Sequence, residues 1–325
     1  MTPTPTPTPG QSPAPQDDVI RVVTWNLEHN GTEPDGDTTR WHTAMDVLAD
    51  LKPHLLLRQE LTRAHLHGAR ALWAEARRLG GDIPHIPLLA SATPDSANPV
   101  GVYVDPTVFD VVEYHEHITG LWHPIANPVV RLKGCTTNLS VASFHLCTFD
   151  PARRANEAKR LTVLGQPGMA ALIGGDCNSY PHTRNETEPL PDWTTITDSS
   201  HYEHRTIERD GRRVCDTRPD EILSGEREGG QPPVFRELGH YAATELGQQH
   251  SNPLAPTASL WRKDQGPMRR IDRLYATPQV ATALLRLEVI DTDRVRTASD
   301  HAPVLAEFSH TKLRQALSPK PELAA

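Results

Sequence analysis

The sequence predicts a single α/β domain with two packed sheets. Short apolar or β-branched runs alternate with segments whose apolar side chains recur at helical spacing. These elements follow one another from residue 19 to residue 310 without a low-complexity linker, so they belong to one core. At 37% hydrophobic, the chain of 325 residues can bury a core of that size. Strands mixed with helices in one unit indicate the α/β class.

The first predicted elements alternate between strand and helix. Residues 19–25 are rich in β-branched side chains and predict a buried strand. Apolar side chains at helical spacing predict a helix over residues 41–51, and a proline shortly after it prevents its continuation. The apolar run at residues 54–58 predicts the second strand. Residues 62–79 predict the second helix, which ends at a pair of glycines.

The rest of the chain predicts five strands and one helix. Residues 152–164 are charged and amphipathic, which predicts the helix. Residues 179–268 are rich in proline, glycine and charge and predict no regular element. Alternating prolines make residues 1–18 an extended tail, and a polar tail is predicted over residues 311–325. The predicted strands lie at residues 100–104, 139–144, 169–173, 271–276 and 302–308.

Charge and cysteine usage exclude several classes of protein. The net charge of -8 argues against nucleic-acid binding by the whole surface, so contact with a polyanion needs a local basic patch or a bound metal. None of the four cysteines forms a C-x-x-C pair, which argues against a structural zinc site and favours reduced thiols. No run of about 18 apolar residues predicts a membrane span, and no signal peptide is visible. A cytoplasmic protein without a membrane partner is the default expectation.

Polar side chains of catalytic type follow several of the predicted strands. Rigid scaffolds commonly carry their sites in the loops at strand ends. Asn26, Glu60 and Asp300 offer oxygen atoms, which suit hard divalent cations such as Mg²⁺, with Mn²⁺ as an alternative. His145 and His301 are suited to stabilise phosphoryl oxygens or donate a proton. Each feature alone also has a structural explanation, since an asparagine after a strand is commonly a turn residue.

Six short elements carry these candidate residues. They are Thr24-Trp25-Asn26-Leu27, Leu57-Arg58-Gln59-Glu60, Ser143-Phe144-His145-Leu146, Gly175-Asp176-Cys177-Asn178, Arg270-Ile271-Asp272 and Ser299-Asp300-His301. Their content and order resemble the endonuclease/exonuclease/phosphatase superfamily, and together they span residues 20 to 308. The resemblance implies a four-layer sandwich, in which two packed, mostly antiparallel sheets are flanked by helices. The site is then expected at one edge of the sandwich.

The resemblance also implies a metal-dependent hydrolase of phosphate esters. Glu60 is expected to bind the metal, with Asn26 and Asp300 nearby. Asp176 is expected to orient or deprotonate an attacking water. Asn178 is expected to position that water and the phosphate.

The remaining site residues are expected to stabilise charge. The resemblance implies that Asp272 pairs with His301 and raises its pKa, so that the imidazolium faces the phosphate. His145 is expected to contact the phosphate oxygens. The proton acceptor is either Asp176 or His301. Cys177, where the family has an aromatic or aliphatic residue, is expected to be structural.

The substrate is the least specified part of the prediction. A nuclease acting on DNA or RNA is favoured by Arg58, Arg63, Arg270 and Arg273, which would make a basic groove if they meet at the site. Ordinary ion pairs are the alternative explanation of these arginines. A phosphatase or phosphodiesterase acting on a small phosphorylated metabolite or inositol phosphate is the second reading, and residues 179–268 would then close a pocket. A catalytically silent binding module is the third, and no protein partner is inferable.

Overall fold

Two six-stranded sheets pack against each other and are flanked by helices. Each sheet contains one parallel pair of strands and is otherwise antiparallel. The predicted α/β class, with two packed and mostly antiparallel sheets, is therefore confirmed. This computed structural model describes residues 18–183, 186–196, 198–248, 252–262 and 266–318, so the predicted tail residues 1–17 and 319–325 lie outside it.

Twelve of the described strands form the two large sheets, and two more form a separate hairpin. The strands are β1 (Val19–Asn26), β2 (Leu55–Gln59), β3 (Ile86–Leu89), β4 (Gly101–Val104), β5 (Phe109–His117), β6 (Ile125–Leu132), β7 (Leu139–His145), β8 (Ala170–Asp176), β9 (Thr206–Arg209), β10 (Arg212–Cys215), β11 (Arg236–Glu237), β12 (Asp272–Ala276), β13 (Leu284–Val289) and β14 (Val304–Ser309). The first sheet has the order β13-β14-β1-β2-β4-β3, and the second has the order β11-β12-β8-β7-β6-β5.

Nine α-helices are described. They are α1 (Thr39–Leu51), α2 (Leu66–Gly80), α3 (Pro151–Leu161), α4 (Ser199–Arg205), α5 (Arg218–Ser224), α6 (Leu238–Thr244), α7 (Pro278–Ala281), α8 (Asp293–Ala298) and α9 (His310–Ala316). None of these helices has the length and apolar character needed to cross a bilayer. Segments of 3₁₀ helix lie at Glu28–Gly31, Thr162–Gly165 and Glu228–Gly230.

The chain directions bring six strand ends to the same edge of the sandwich. β1 and β2 are parallel, as are β7 and β8, so each pair ends side by side, with His145 opposite Asp176 in the second pair. β12 runs antiparallel to β8, and its first residue, Asp272, pairs with Asp176. β14 runs antiparallel to β1, so the residues that precede it reach the same edge. The topology therefore gathers side chains that are far apart in sequence.

The core between the sheets fixes the position of this edge. Leu57 of the first sheet and Leu274 of the second are fully buried in one apolar cluster. A Cβ added at Gly174 would lie 2.4 Å from Leu274 Cδ2 and 3.3 Å from Leu57 Cδ2, so the sheets approach too closely there for a side chain. Each buried leucine stabilises the fold by roughly 1.5–3 kcal/mol. Because Gly174 lies two residues before Asp176, this packing also positions the site.

Two regions differ from the prediction or go beyond it. Residues 310–316 form a helix where the sequence predicts a polar tail, because Leu313 and Leu317, four residues apart, are buried on the core. The segment 179–268, for which no element is predicted, contains α4, α5 and α6 and the β9–β10 hairpin. All four cysteines are free, in agreement with the prediction of reduced thiols.

Candidate active site

A cleft of about 520 Å³ opens at the edge where the six strand ends meet. Six of the eight predicted catalytic and metal-binding residues line it, although they come from five of the six sequence elements and from both sheets. The other two, Asp272 and Asp300, are buried and are not part of its lining. The lining residues are Asn26, Glu60, His145, Asp176, Asn178 and His301.

Asn26 connects the two carboxylates of the cleft. Its Nδ2 donates to Glu60 Oε1 and to Asp176 Oδ2, each at 3.2 Å. Glu60 Oε2 accepts a hydrogen bond from the His29 backbone N–H at 3.0 Å. Glu60 itself has a φ of 56°, a left-handed conformation that is strained for a non-glycine residue and is often retained at functional sites. Both bonds use the amide hydrogens of Asn26, and its buried Oδ1 has no hydrogen-bond partner.

Asp272 and His301 form a buried pair beside this group. His301 Nδ1 lies 2.8 Å from Asp272 Oδ2, and the indole N–H of Trp25 donates to the His301 carbonyl at 2.8 Å. Burial disfavours the imidazolium, but the carboxylates of Asp272, Asp300 and Asp176 outweigh it and raise the pKa of His301 to about 10. At neutral pH the ring is therefore a cation that faces the cleft.

Asp176 is a carboxylate surrounded by donors and cations. Its Oδ1 accepts the Asn178 backbone N–H at 2.8 Å, and its Oδ2 lies 3.4 Å from His145 Nε2. Burial raises the pKa of Asp176, but the combined effect of His145, His301 and Arg205 is larger and lowers it, so the net shift is downward. The side chain is thus ionised at neutral pH, even though it is almost completely buried.

Arg205 is a cleft residue that the sequence did not single out. It ends α4, and its Nη1 donates to Asn178 Oδ1 at 2.7 Å and to the Asn178 carbonyl at 2.8 Å. Burial, together with the charges of Arg269 and Arg154, lowers the pKa of Arg205 to about 9. Its Nε is buried and has no partner. It lies within the segment 179–268, where nothing in the sequence distinguishes it from the other arginines.

His123 is a second lining residue that the sequence did not single out. Its ring stacks on His145 with centroids 4.0 Å apart and an interplanar angle of 16°. Its Nδ1 lies 2.7 Å from Ser96 Oγ. Burial and the neighbouring His145 lower the pKa of His123 to about 2, so it is neutral. No motif marks it, because it precedes a strand that the sequence did not predict.

The oxygen donors of the cleft fit a hard divalent cation. Asn26 Oδ1 is buried without a partner, and the carboxylate of Glu60 lies beside Asn26. Asp300 Oδ1 is also buried without a partner, but Asp300 does not line the cleft. Ligand atoms of Asp176, Asp272 and His301 also lie within 4.8 Å of one another. A protonated His301 has no free lone pair, however, so that group is better described as a network of hydrogen bonds and charges.

The predicted basic groove does not come together. Arg58 lies in the core, where its Nε donates to Glu75 at 2.8 Å. Arg270 is buried against Glu186 at 2.7 Å and Glu237 at 3.0 Å. Arg273 is buried as well, and Arg63 is exposed outside the cleft lining. Burial of a guanidinium is tolerated only with such partners, and those partners are remote in sequence.

Arg273 shows the same principle. Its Nη2 donates to the Ser179 carbonyl at 3.1 Å and to Ser179 Oγ at 3.0 Å, and its Nε donates to Tyr275 Oη at 2.9 Å. Cys177 lies next to this network, and burial raises the pKa of its thiol to about 11. Arg273 and Cys177 are therefore buried beneath the cleft and do not line it.

We expect Arg58→Ala to destabilise the protein by about 3–5 kcal/mol, because it leaves the carboxylate of Glu75 buried without its partner. Arg63→Ala, at an exposed position, is the matched control and should change stability by less than about 0.5 kcal/mol. Urea unfolding measures both. A stable Arg58→Ala protein with a raised KM would instead make Arg58 a substrate contact.

Solved structures share this fold. A TDP2 from D. rerio complexed with a single-strand DNA product aligns over 90% of this chain and 99% of its own, with 15% identity and a TM-score of 0.55. The human Nocturnin catalytic domain with a bound sulfate anion aligns over 90% and 94%, with 13% identity and a TM-score of 0.56. An endonuclease/exonuclease/phosphatase from Bacteroides vulgatus aligns over 89% and 98%, with 15% identity and a TM-score of 0.57.

These likenesses are structural and not visible in overall sequence. No protein-family model matches the chain, and no curated protein matches it. At identities of 13–15%, the similarity concerns the fold. The order of the six sequence elements and the arrangement of the two sheets agree with it. The chain therefore has the fold of the endonuclease/exonuclease/phosphatase superfamily.

Proposed function

We propose that the protein is a metal-dependent phosphodiesterase that cleaves its substrate by in-line attack of water, with nucleic acid as the substrate class. The observation that carries this proposal is the cleft itself. A carboxylate, Asp176, and a buried imidazolium, His301, line a single cleft, and their ligand atoms lie within 4.8 Å of each other. A base and a cation at this separation suit a reaction that deprotonates water and develops charge on a phosphate.

The protonation states of Asp176 and His301 support one choice for the two roles that the sequence left open. Asp176 is ionised, so it is the group that orients the attacking water and accepts its proton. His301 keeps its proton, so it stabilises negative charge on the phosphate oxygens and does not act as the base. Asn178, fixed by Arg205 and by its own Nδ2 bond to the Leu146 carbonyl at 3.0 Å, positions the phosphate.

Asn26 and Glu60 are the residues proposed to hold Mg²⁺ or Mn²⁺. The unpartnered Asn26 Oδ1 and the Glu60 carboxylate match the few oxygen ligands that Mg²⁺ takes from proteins. When bound, the metal polarises the phosphate and stabilises the leaving oxygen. Asp300 lies behind the cleft and adds negative charge next to His301.

A nucleic-acid substrate is supported by the neighbours of the same fold and by part of the cleft. The D. rerio TDP2 structure contains a single-strand DNA product. In this chain, Arg205 and Arg269 line the cleft and offer positive charge to a phosphate backbone. The burial of Arg58, Arg270 and Arg273 supports the second candidate, a phosphodiesterase acting on a small phosphorylated metabolite, because it removes most of the predicted groove.

Turnover of four substrates tests the proposal. Plasmid DNA, single-stranded DNA, RNA and a chromogenic bis-phosphodiester are incubated with the protein, with and without Mg²⁺ or Mn²⁺. The control is the double variant Asp176→Ala/His301→Ala. We expect metal-dependent cleavage of nucleic acid that the double variant lacks. Cleavage of the small diester alone would favour the metabolite substrate, and no turnover by the folded wild type would favour a silent binding module.

We expect Glu60→Gln to raise the Mg²⁺ concentration for half-maximal activity by about tenfold or more. Loss of an outer partner of a metal ligand already costs about 10–100-fold in affinity, and loss of a ligand's charge costs at least as much. Glu113→Gln, an exposed carboxylate on β5, is the matched control. A Mg²⁺ titration of initial rates measures both, and an unchanged midpoint for Glu60→Gln would remove Glu60 from the metal site.

A further inference from the structure

A pair of aromatic side chains lies in the lining of the cleft, and the proposed hydrolysis does not use it. The rings of Trp122 and Phe149 meet edge to face, with centroids 4.6 Å apart and planes at 89°. Both line the same cleft as Asp176. Phe149 is 41% exposed, although it packs against Trp122. An exposed apolar ring inside a polar catalytic cleft is suited to contact a substrate.

A buried carboxylate holds both aromatic loops in place. Glu157, on α3, is 3% exposed. Its Oε1 accepts the Trp122 backbone N–H and its Oε2 accepts the Cys147 backbone N–H, each at 2.7 Å. Cys147 lies two residues before Phe149, so one side chain fixes both loops. This arrangement sets the orientation of the rings before any ligand binds, which lowers the entropic cost of binding.

The ring of Trp122 is covered by a cation. The Arg153 guanidinium lies 5.3 Å from the centroid of the Trp122 ring, and its Nη2 donates to Asp95 Oδ2 at 2.6 Å. Trp122 therefore packs between Arg153 and Phe149, and the more exposed ring is that of Phe149. Phe149 is consequently the ring that is available for stacking.

Phe149 lies close to the residue that is proposed to contact the phosphate, Asn178. Thr148, the residue before Phe149, also lines the cleft, and its Oγ1 lies 3.5 Å from Asn178 Nδ2. A ring that stacks on Phe149 could therefore belong to the same nucleotide as a phosphate that is held by Asn178. His123, stacked on His145 and neutral, continues this side of the cleft and brings no cation for a second phosphate. This side is suited to a planar, uncharged ring.

We propose that Phe149, supported by Trp122 and fixed by Glu157, is a stacking platform for the nucleobase of a nucleotide that adjoins the scissile phosphate. The preferred substrate class is then single-stranded nucleic acid, because a base inside a duplex is already stacked and does not reach the ring. This inference rests on the proposed function and specifies its substrate. A sugar phosphate without a base leaves the platform unused.

Two substrates that differ only in the base test the platform. One is a DNA dinucleotide, and the other is the same diester with an abasic tetrahydrofuran unit on either side. For Phe149→Ala, kcat/KM on the dinucleotide should fall roughly 5- to 150-fold through KM, the range that one base stack contributes. It should stay unchanged on the abasic diester. Phe149→Tyr should retain the wild-type value, and Trp73→Ala, an exposed tryptophan on α2, is the control.

Binding measurements test stacking on Phe149 independently of hydrolysis. In an Asp176→Asn background, fluorescence anisotropy measures the Kd of a short oligo(dT) and of its abasic counterpart. Base-dependent binding that Phe149→Ala abolishes supports the platform, even if no hydrolysis occurs. Equal losses on both ligands, or no loss on either, would overturn the platform, even if the wild type cleaves DNA. Glu157→Gln should reproduce the base-dependent loss, because Glu157 acts through the position of the rings.

Discussion

We expect Asp176→Asn to lower kcat by about 10³-fold or more, while the protein stays folded. A positioned proton acceptor contributes roughly 10²–10⁴-fold, and Asp176 also aligns Asn26 and Asn178 through its two oxygens. The asparagine has nearly the same shape but accepts no proton. Initial rates at saturating Mg²⁺ and substrate measure the effect, and KM should change little because the phosphate contacts remain.

Measurements of stability distinguish a loss of kcat in Asp176→Asn from unfolding of the variant. The pKa of Asp176 is lowered in the fold, so its stabilising contribution is present above its unfolded value near 3.9 and is lost as the pH falls. Circular dichroism and urea unfolding at neutral pH therefore define how much of the variant is folded. Asp110→Asn, an exposed carboxylate on β5, is the control. A loss in kcat of less than about tenfold, per folded molecule, would place the proton acceptor elsewhere.

We expect Asp272→Asn to show a decline in activity at alkaline pH that the wild type lacks. Wild-type His301 keeps its proton until about pH 10, so kcat should show no alkaline decline at neutral or mildly basic pH. Without the Asp272 carboxylate, burial lowers the pKa of His301 and only the charges of Asp300 and Asp176 still raise it, so the pKa falls from its wild-type value. At alkaline pH the variant should then be slower than at its acidic optimum, because a smaller fraction of His301 is imidazolium. A pH–rate profile measures this decline.

The Asp272–His301 pair should also change how the free energy of unfolding depends on pH. A raised pKa of His301 stabilises the fold fully below 6.5, and this stabilisation is lost as the pH rises through about 10. Urea unfolding of metal-free protein in EDTA should therefore show the wild type losing stability between pH 6.5 and pH 9, and Asp272→Asn should lose much less over that interval. Identical pH–rate profiles for the two proteins would mean that His301 is not needed as a cation.

The fold class, and most of the residues that line the cleft, can be predicted from the sequence. The reason is local, because each of these residues directly follows or precedes a strand whose apolar pattern is readable from the chain. Asn26 ends β1, His145 ends β7 and Asp176 ends β8, as the six elements predicted. Once the strands are parallel or antiparallel in this order, their ends meet at one edge and no further information is needed.

Which charged side chains reach the cleft, and which are buried in ion pairs elsewhere, is visible only in the tertiary structure. Arg58 has the same side chain as Arg205, yet one is buried against Glu75 and the other lines the cleft. Exposure and partners depend on contacts between residues that are distant in the chain, and composition does not carry that information. The same holds for Phe149 and Glu157, since their arrangement requires two loops and a helix to meet. Patterns along the chain therefore predict residues that meet in one cleft, whereas contacts between distant residues determine the charges and rings that are proposed to select a substrate.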